Sequence, residues 1–107
     1  MPSADASFSS FVRDQLSSLP GVTLRAMFGG YGIYQRARFF GIVFRGRLYF
    51  KTDAISRPAY LAQGMKPFRP SAKQTLKHYY EVPADVLEAP EQLIAWARQA
   101  LTIASEV

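Results

Sequence analysis

The 107-residue sequence contains no cysteine and a single histidine, His78. The lack of cysteine excludes disulfide bonds, thiol catalysis and cysteine-ligated metals, and it is compatible with a reducing cytoplasm. One histidine cannot form a two-histidine metal site or a histidine pair within one chain. No apolar stretch approaches the roughly 18 residues of a membrane span, and the N-terminus lacks the basic and apolar regions of a signal peptide. We therefore expect a cytoplasmic protein without membrane contact.

The sequence also lacks a local motif for catalysis or nucleotide binding. Gly-Tyr-Gly at residues 30–32 begins like a dinucleotide fingerprint, but residue 35 is glutamine and no helix is predicted to follow. A P-loop would need Gly-Lys-Ser/Thr, which does not occur. His78 alternates with apolar residues in a predicted strand, so we interpret it as a partly buried, hydrogen-bonded side chain. We predict no catalytic residue, no cofactor, no metal and no enzymatic activity.

What the chain does have is a strongly basic middle. Residues 25–77 hold eleven of the thirteen Lys and Arg residues and only one acid, Asp53, so this segment carries +10 against +5 for the whole chain. Ten of the fifteen aromatic residues lie in the same segment. Two interpretations stay open: a sheet whose outward positions happen to be basic, or a functional basic face. The candidate nucleic-acid contacts of such a face are Arg36, Arg38, Arg45, Arg47, Lys51, Lys73 and Lys77.

Periodicity predicts an α+β fold, a two-layer sandwich of helices on a mostly antiparallel sheet. The predicted order is α-β-β-β-α-β-β-α, with residues 1–107 forming one domain. The first helix carries an apolar stripe over residues 8–19. Prolines place the segment 65–70 at an edge of the sheet. The last helix is predicted in two parts, a single turn followed by a main helix that begins at Pro90.

Alternation within the strands predicts which side chains share a face. Phe40, Ile42 and Phe44 alternate along one strand and are expected on the same side of the sheet. The next strand, at residues 47–51, is predicted to present Arg-Tyr-Lys on its outer face.

Three glycines and one aspartate are interpreted as structural. Gly29 and Gly30 can turn a hairpin or form a bulge, and Gly32 lets a backbone or an aromatic ring approach the strand. Asp53 is the N-cap signal of the second helix, and Gly64 is the candidate C-cap.

Four sequence blocks together resemble the N-terminal domain of the TfoX/Sxy family of bacterial competence regulators. Each block matches in order and at suitable spacing, which makes the combined signal specific. The blocks are RAMFGGYGIY at 25–34, LYFKTD at 48–53, GMKPF at 64–68 and YYEVPADVL at 79–87.

The resemblance implies an α+β domain similar to the two-layer fold of secretion chaperones. It implies a role in transcriptional control of competence genes, with the cyclic-AMP receptor protein as partner at its target promoters, and it brings no catalytic residues. Full-length members of the family carry a second, helical C-terminal domain. A chain that ends at Val107 is therefore expected to be a stand-alone relative or a truncated form.

The favoured hypothesis is a non-enzymatic interaction domain that binds a protein partner, with a homodimer left open. Its candidate surface consists of aromatic residues in excess of what a small core can hide, namely Tyr31, Tyr34, Tyr49 and Tyr79. The alternative is direct nucleic-acid binding by the basic middle, which requires those cations to share one face. An enzyme would need convergent polar groups around His78 or Asp53.

Overall fold

The computed structural model describes residues 4–27 and 29–104, which form a six-stranded antiparallel sheet and four helices. In chain order the elements are α1 (Ala4–Gln15), β1 (Val22–Met27), β2 (Gly30–Gln35), β3 (Arg38–Phe44), β4 (Arg47–Lys51), α2 (Arg57–Ala62), β5 (Pro67–Ser71), β6 (Gln74–Glu81), α3 (Ala84–Leu87) and α4 (Pro90–Ile103). Across the sheet the strands follow the order β1-β2-β3-β4-β6-β5, so β1 and β5 are its edges.

All four helices pack on one face of the sheet and share one core with it. Val12 of α1, Tyr60 of α2, Val86 of α3 and Leu93 of α4 join strand residues such as Phe50 in this cluster. Each of these five side chains exposes 4% or less of its surface. Burial of one large apolar side chain contributes roughly 1.5–3 kcal/mol. This cluster, the helix-side core, therefore holds the two layers together.

A β-bulge in strand β3 decides which face of the sheet Phe40 reaches. The register between β2 and β3 shifts at Phe40, which has no partner on β2. The extra residue turns Phe40 into the helix-side core, whereas Ile42 and Phe44 lie on the opposite face. The prediction that these three residues share a face is therefore wrong.

The opposite face of the sheet carries a second apolar cluster, to which no described helix contributes a residue. Its buried members are Ile42, Tyr49 and Phe68, each of which exposes 7% or less of its surface. Partly buried side chains surround them: Phe39, Phe44, Leu76 and Tyr79. We call this side of the sheet the helix-free face.

The structure confirms the α+β class and the antiparallel sheet. The run of strands before α2 has four members, one more than the predicted order counts, and the last helix is divided into α3 and α4 as expected. The Arg-Tyr-Lys face of β4 is also confirmed, because Tyr49 lies on the helix-free face and Arg47 and Lys51 alternate onto the same side. The first helix ends at Gln15, before the apolar stripe does.

The N-cap of α2 is Ser56 and not Asp53 as predicted, and the hydrogen bonds of Asp53 shape the turn that leads into the helix. The Asp53 carboxylate accepts from the backbone N–H groups of Ile55 at 3.0 Å and Ser56 at 2.8 Å. The hydrogen bond that the backbone N–H of Ser56 donates to this carboxylate is the largest effect on Asp53, and it lowers the pKa of that side chain. At the other end of α2, Gly64 has a φ of 74° and donates its N–H to the carbonyl of Leu61 at 3.0 Å. This is the left-handed glycine cap common at helix C-termini.

The three predicted structural glycines differ in what they allow. Gly29 has a φ of 80° and open space around it, so its role is to turn the chain between β1 and β2. A Cβ on Gly30 would overlap the carbonyl oxygen of Val43 in the neighbouring strand. A Cβ on Gly32 would lie 3.1 Å from a ring carbon of Phe39. Gly30 therefore permits strand contact, and Gly32 permits ring packing.

The variant Gly30→Ala is expected to lower the free energy of unfolding by about 3 kcal/mol, because the methyl group would force β2 and β3 apart. Gly64→Ala is the control, since the space around Gly64 is open and only its φ of 74° opposes a side chain. That substitution should cost about 1 kcal/mol. Chemical denaturation followed by circular dichroism measures both values. Equal losses in the two variants would contradict the close contact at Gly30.

Candidate interaction surface

One end of the helix-free face carries three aromatic rings in contact. Phe39 lies between Tyr34 and Tyr79, with ring centroids 5.1 Å and 5.4 Å apart. All three rings are partly buried, and we call them the tyrosine cluster. Burial, with a smaller contribution from Tyr34, raises the pKa of Tyr79 to about 12. The Tyr79 hydroxyl therefore keeps its proton at neutral pH and is available as a hydrogen-bond donor.

Two cations flank the tyrosine cluster. The guanidinium carbon of Arg25 lies 4.6 Å from the centroid of the Tyr34 ring. A cation over an aromatic ring at an exposed site contributes about 0.5–1 kcal/mol. Lys51 is the register partner of Tyr79 and shares the helix-free face by alternation along β4. The surface is therefore apolar at its centre and basic at its edge.

A groove crosses the other end of the helix-free face. A cavity of about 330 Å³ lies among β4, β5 and β6, and an adjoining cavity of about 300 Å³ extends toward the turn between β3 and β4. Both are lined by Arg47, Tyr49 and Arg69, while Lys66 lines the first and Arg45 the second. We call the two cavities together the arginine groove.

Glu81 is the acid that lines the arginine groove. Its Oε1 atom lies 3.3 Å from Nη1 of Arg47, which is the one ion pair among residues 4–27 and 29–104. The arginine side chain is 62% exposed, so this surface pair contributes at most about 1 kcal/mol. Burial, followed by the charge of Glu81, raises the pKa of Tyr49 in the groove. Its hydroxyl, like that of Tyr79, stays protonated at neutral pH.

Arg45 reaches the groove from a two-residue hairpin turn. Arg45 has a φ of 50° and Gly46 a φ of 76°, as a type I′ turn between β3 and β4 requires. Asn-Gly and Asp-Gly are the preferred sequences for such a turn. A non-glycine residue in this conformation costs on the order of 1 kcal/mol. The Arg45 guanidinium carbon lies 5.0 Å from the centroid of the Phe44 ring.

The structure separates the seven cations predicted to contact nucleic acid. Arg45 and Arg47 line the arginine groove. Arg36 and Arg38 line a depression at the turn between β2 and β3, which is the opposite end of β3. The remaining three lie in β4, in the turn between β5 and β6, and in β6: Lys51, Lys73 and Lys77. They do not form one continuous patch.

Sequence reasoning missed two of the groove cations, Lys66 and Arg69. They sit before and within β5, a strand whose prolines indicated only an edge position. They approach Arg47 because β5 pairs with β6 and β6 pairs with β4. The pairing of strands that are distant in sequence carries no local signal, so composition alone could not have grouped these residues.

The four predicted surface tyrosines also separate. Tyr34 and Tyr79 meet in the tyrosine cluster. Tyr49 is only 7% exposed and lines the arginine groove, and Tyr31 packs against the helix-side core. Phe39, the ring that joins Tyr34 to Tyr79, was not predicted as part of the surface.

His78 and Asp53 do not converge on a shared pocket. His78 is exposed, which contradicts the expected partial burial, and its Nδ1 atom lies 3.2 Å from Nη2 of Arg57. Its backbone carbonyl accepts a hydrogen bond of 2.9 Å from the Thr52 hydroxyl. Within the described ranges, His, Cys, Asp and Glu nowhere gather in a group of three or more that could hold a metal ion. No described helix is long and apolar enough to cross a membrane.

Charge is divided between the two layers of the molecule. Ten of the thirteen Lys and Arg residues lie in the strands or in residues that adjoin them, and the other three, Arg13, Arg57 and Arg98, lie in helices. Apart from Glu81 in β6 and Asp53 before α2, the acids of the described part lie in or beside helices. The sheet layer is therefore the basic side of the protein.

Fold and surface together define a small α+β domain whose sheet has one face packed on helices and one face free of them. Residues 14–104 match the family model of the TfoX N-terminal domain. Because the match covers nearly the whole chain, the chain belongs to the TfoX N-terminal domain family. A search of curated proteins finds no match to this sequence. The family assignment agrees with the resemblance carried by the four sequence blocks.

Proposed function

We propose that this domain is a non-enzymatic regulatory module that binds a protein partner through the tyrosine cluster, in the control of competence genes in the cytoplasm. The observation that carries the proposal is a group of partly exposed rings on the helix-free face. Tyrosine and arginine are among the residue types that contribute most at protein interfaces. A contiguous apolar surface with a polar edge is typical of an interaction site.

Family membership suggests the partner, which is the cyclic-AMP receptor protein at its target promoters. Arg25 and Lys51 beside the tyrosine cluster favour a partner surface with carboxylates around an apolar centre. In such an interface the rings supply the buried centre, and the cations set orientation and association rate.

Asp53 and His78 each contact neighbouring groups of the fold. The Asp53 carboxylate is engaged by two backbone N–H groups of the turn before α2. His78 contacts Arg57, and its carbonyl binds Thr52. Both residues around which a catalytic pocket was considered therefore have structural partners.

The variant Arg25→Glu should weaken binding to the partner about tenfold, because it places a negative charge at the edge of the tyrosine cluster. The measurement is a titration of labelled domain with the cyclic-AMP receptor protein, in the presence of cyclic AMP and promoter DNA. Arg98→Glu is the matched control, since it makes the same charge change at an exposed position of α4 in the helix layer.

The expected result is a large loss of affinity for the partner with Arg25→Glu and little change in that affinity with Arg98→Glu. Equal weakening by both variants would show that net charge, and not the tyrosine cluster, governs the interaction. Failure of the unmodified domain to bind would reject this partner.

Direct nucleic-acid binding is the second candidate function, and the division of charge between the layers favours it. A sheet layer that carries ten cations and little acid presents a positive surface to a phosphate backbone. The seven predicted cations are separated along the sheet layer, so this candidate rests on the charge of the whole layer and not on one continuous patch.

For this candidate we expect binding to labelled duplex DNA at ~50 mM salt that weakens steeply at ~200 mM salt, measured by fluorescence anisotropy. The double variant Lys51→Gln/Lys77→Gln should make the plot of log affinity against log salt less steep. The magnitude of its negative slope should fall by about 2, since each lost phosphate contact reduces it by about 1. Arg13→Gln/Arg98→Gln removes the same charge from the helices and should leave the slope unchanged. Absence of binding at low salt would eliminate direct contact with DNA.

A further inference from the structure

We propose that the arginine groove is a binding site for a phosphate group, supplied by a small phosphate ester or by a nucleic-acid strand. This inference does not depend on the protein-partner proposal, because the groove and the tyrosine cluster lie at opposite ends of β3. It also names a site that the sequence alone did not assemble.

Four cations reach the groove from different segments of the chain. Arg45 comes from the turn between β3 and β4, Arg47 from β4, Lys66 from the residue before β5, and Arg69 from β5 itself. Guanidinium groups donate paired hydrogen bonds whose geometry matches phosphate oxygens. Convergence of several such groups on one concave surface is what phosphate recognition requires.

Neutral donors complete the lining of the larger cavity. Tyr49 and Thr75 both line it, and each carries a hydroxyl group that can donate to a phosphate oxygen. Burial raises the pKa of Tyr49, so its hydroxyl is not a competing anion at neutral pH. The volume of about 330 Å³ lies at the lower end of the range for small-ligand sites, which suits a phosphate with a modest organic group.

The carboxylate in the groove is already compensated. Glu81 would repel a phosphate, but its Oε1 atom lies 3.3 Å from Nη1 of Arg47. The same ion pair holds the Arg47 guanidinium at the groove. Arg45, Lys66 and Arg69 are thus the cations that a bound phosphate would meet beyond this pair.

The hairpin turn offers a variant that separates lost binding from lost folding. A type I′ turn favours asparagine or glycine where Arg45 stands, so a change to asparagine would relieve backbone strain. The same change would remove a cation from the groove.

The turn between β2 and β3 offers a matched control. Arg36 is also an exposed arginine with a positive φ, 56° against 50° for Arg45, but it lines a different depression. Arg45→Asn and Arg36→Asn therefore remove the same charge and relieve the same kind of strain. Both variants should melt at or above the temperature of the unmodified protein, which separates lost binding from lost folding.

The test is a set of amide chemical-shift titrations by NMR on the full chain. The probes are inorganic phosphate, a nucleoside 5′-monophosphate and a short single-stranded oligonucleotide. Saturable shifts should centre on Arg47, Tyr49 and Arg69. Arg45→Asn should weaken binding about tenfold, since a hydrogen bond to a charged group is lost. Arg36→Asn should leave the affinity for inorganic phosphate and for the mononucleotide unchanged, because Arg36 lines a different depression.

Arg69→Gln is a second test in the edge strand, and it should weaken binding without altering the type I′ turn. Binding of the mononucleotide in the groove supports the site with a small ester as its ligand, and groove binding of the oligonucleotide alone supports it with a strand as its ligand. No saturable shift with any probe overturns the proposal. Equal weakening of phosphate or mononucleotide binding by Arg45→Asn and Arg36→Asn, or shifts centred elsewhere, also overturns it.

Discussion

The β-bulge at Phe40 is the constraint on which both faces of the sheet depend. In a regular strand Phe40 would share a face with Ile42, and the helix-side core would lose a buried ring. The unpaired residue instead sends Phe40 toward the helices, while Ile42 stays on the helix-free face. One strand thereby supports the core that holds the layers together and the cluster that underlies the proposed surface.

The same bulge positions the tyrosine cluster. Phe39 precedes the unpaired residue and lies on the helix-free face, where it joins Tyr34 to Tyr79. Gly32 leaves the room that these rings need, because a side chain there would press on the Phe39 ring. A partly exposed aromatic group is therefore held by backbone geometry. Its exposure follows from the absence of helix residues in the cluster beneath it, within the part of the chain that the structure describes.

Patterns among neighbouring residues in the sequence predicted the structural features that depend only on neighbouring residues. Alternation gave the outward face of β4, proline placed β5 at an edge, and Pro90 marked the start of α4. The bulge left no such mark, because the alternation of Phe40, Ile42 and Phe44 reads as a regular strand. The arginine groove could not be predicted from the sequence either, since it depends on the pairing of β5 with β6 and of β6 with β4.

We propose that the helix-free face binds the protein partner and that the helix layer supports this face. Hydroxyl-radical footprinting by mass spectrometry tests it most directly, because it reports side-chain exposure with and without the cyclic-AMP receptor protein bound at promoter DNA. The account predicts reduced oxidation of Tyr34 and Tyr79, with no change at Phe11, which is 39% exposed on α1. Protection of Phe11 with unchanged oxidation of both tyrosines would contradict it.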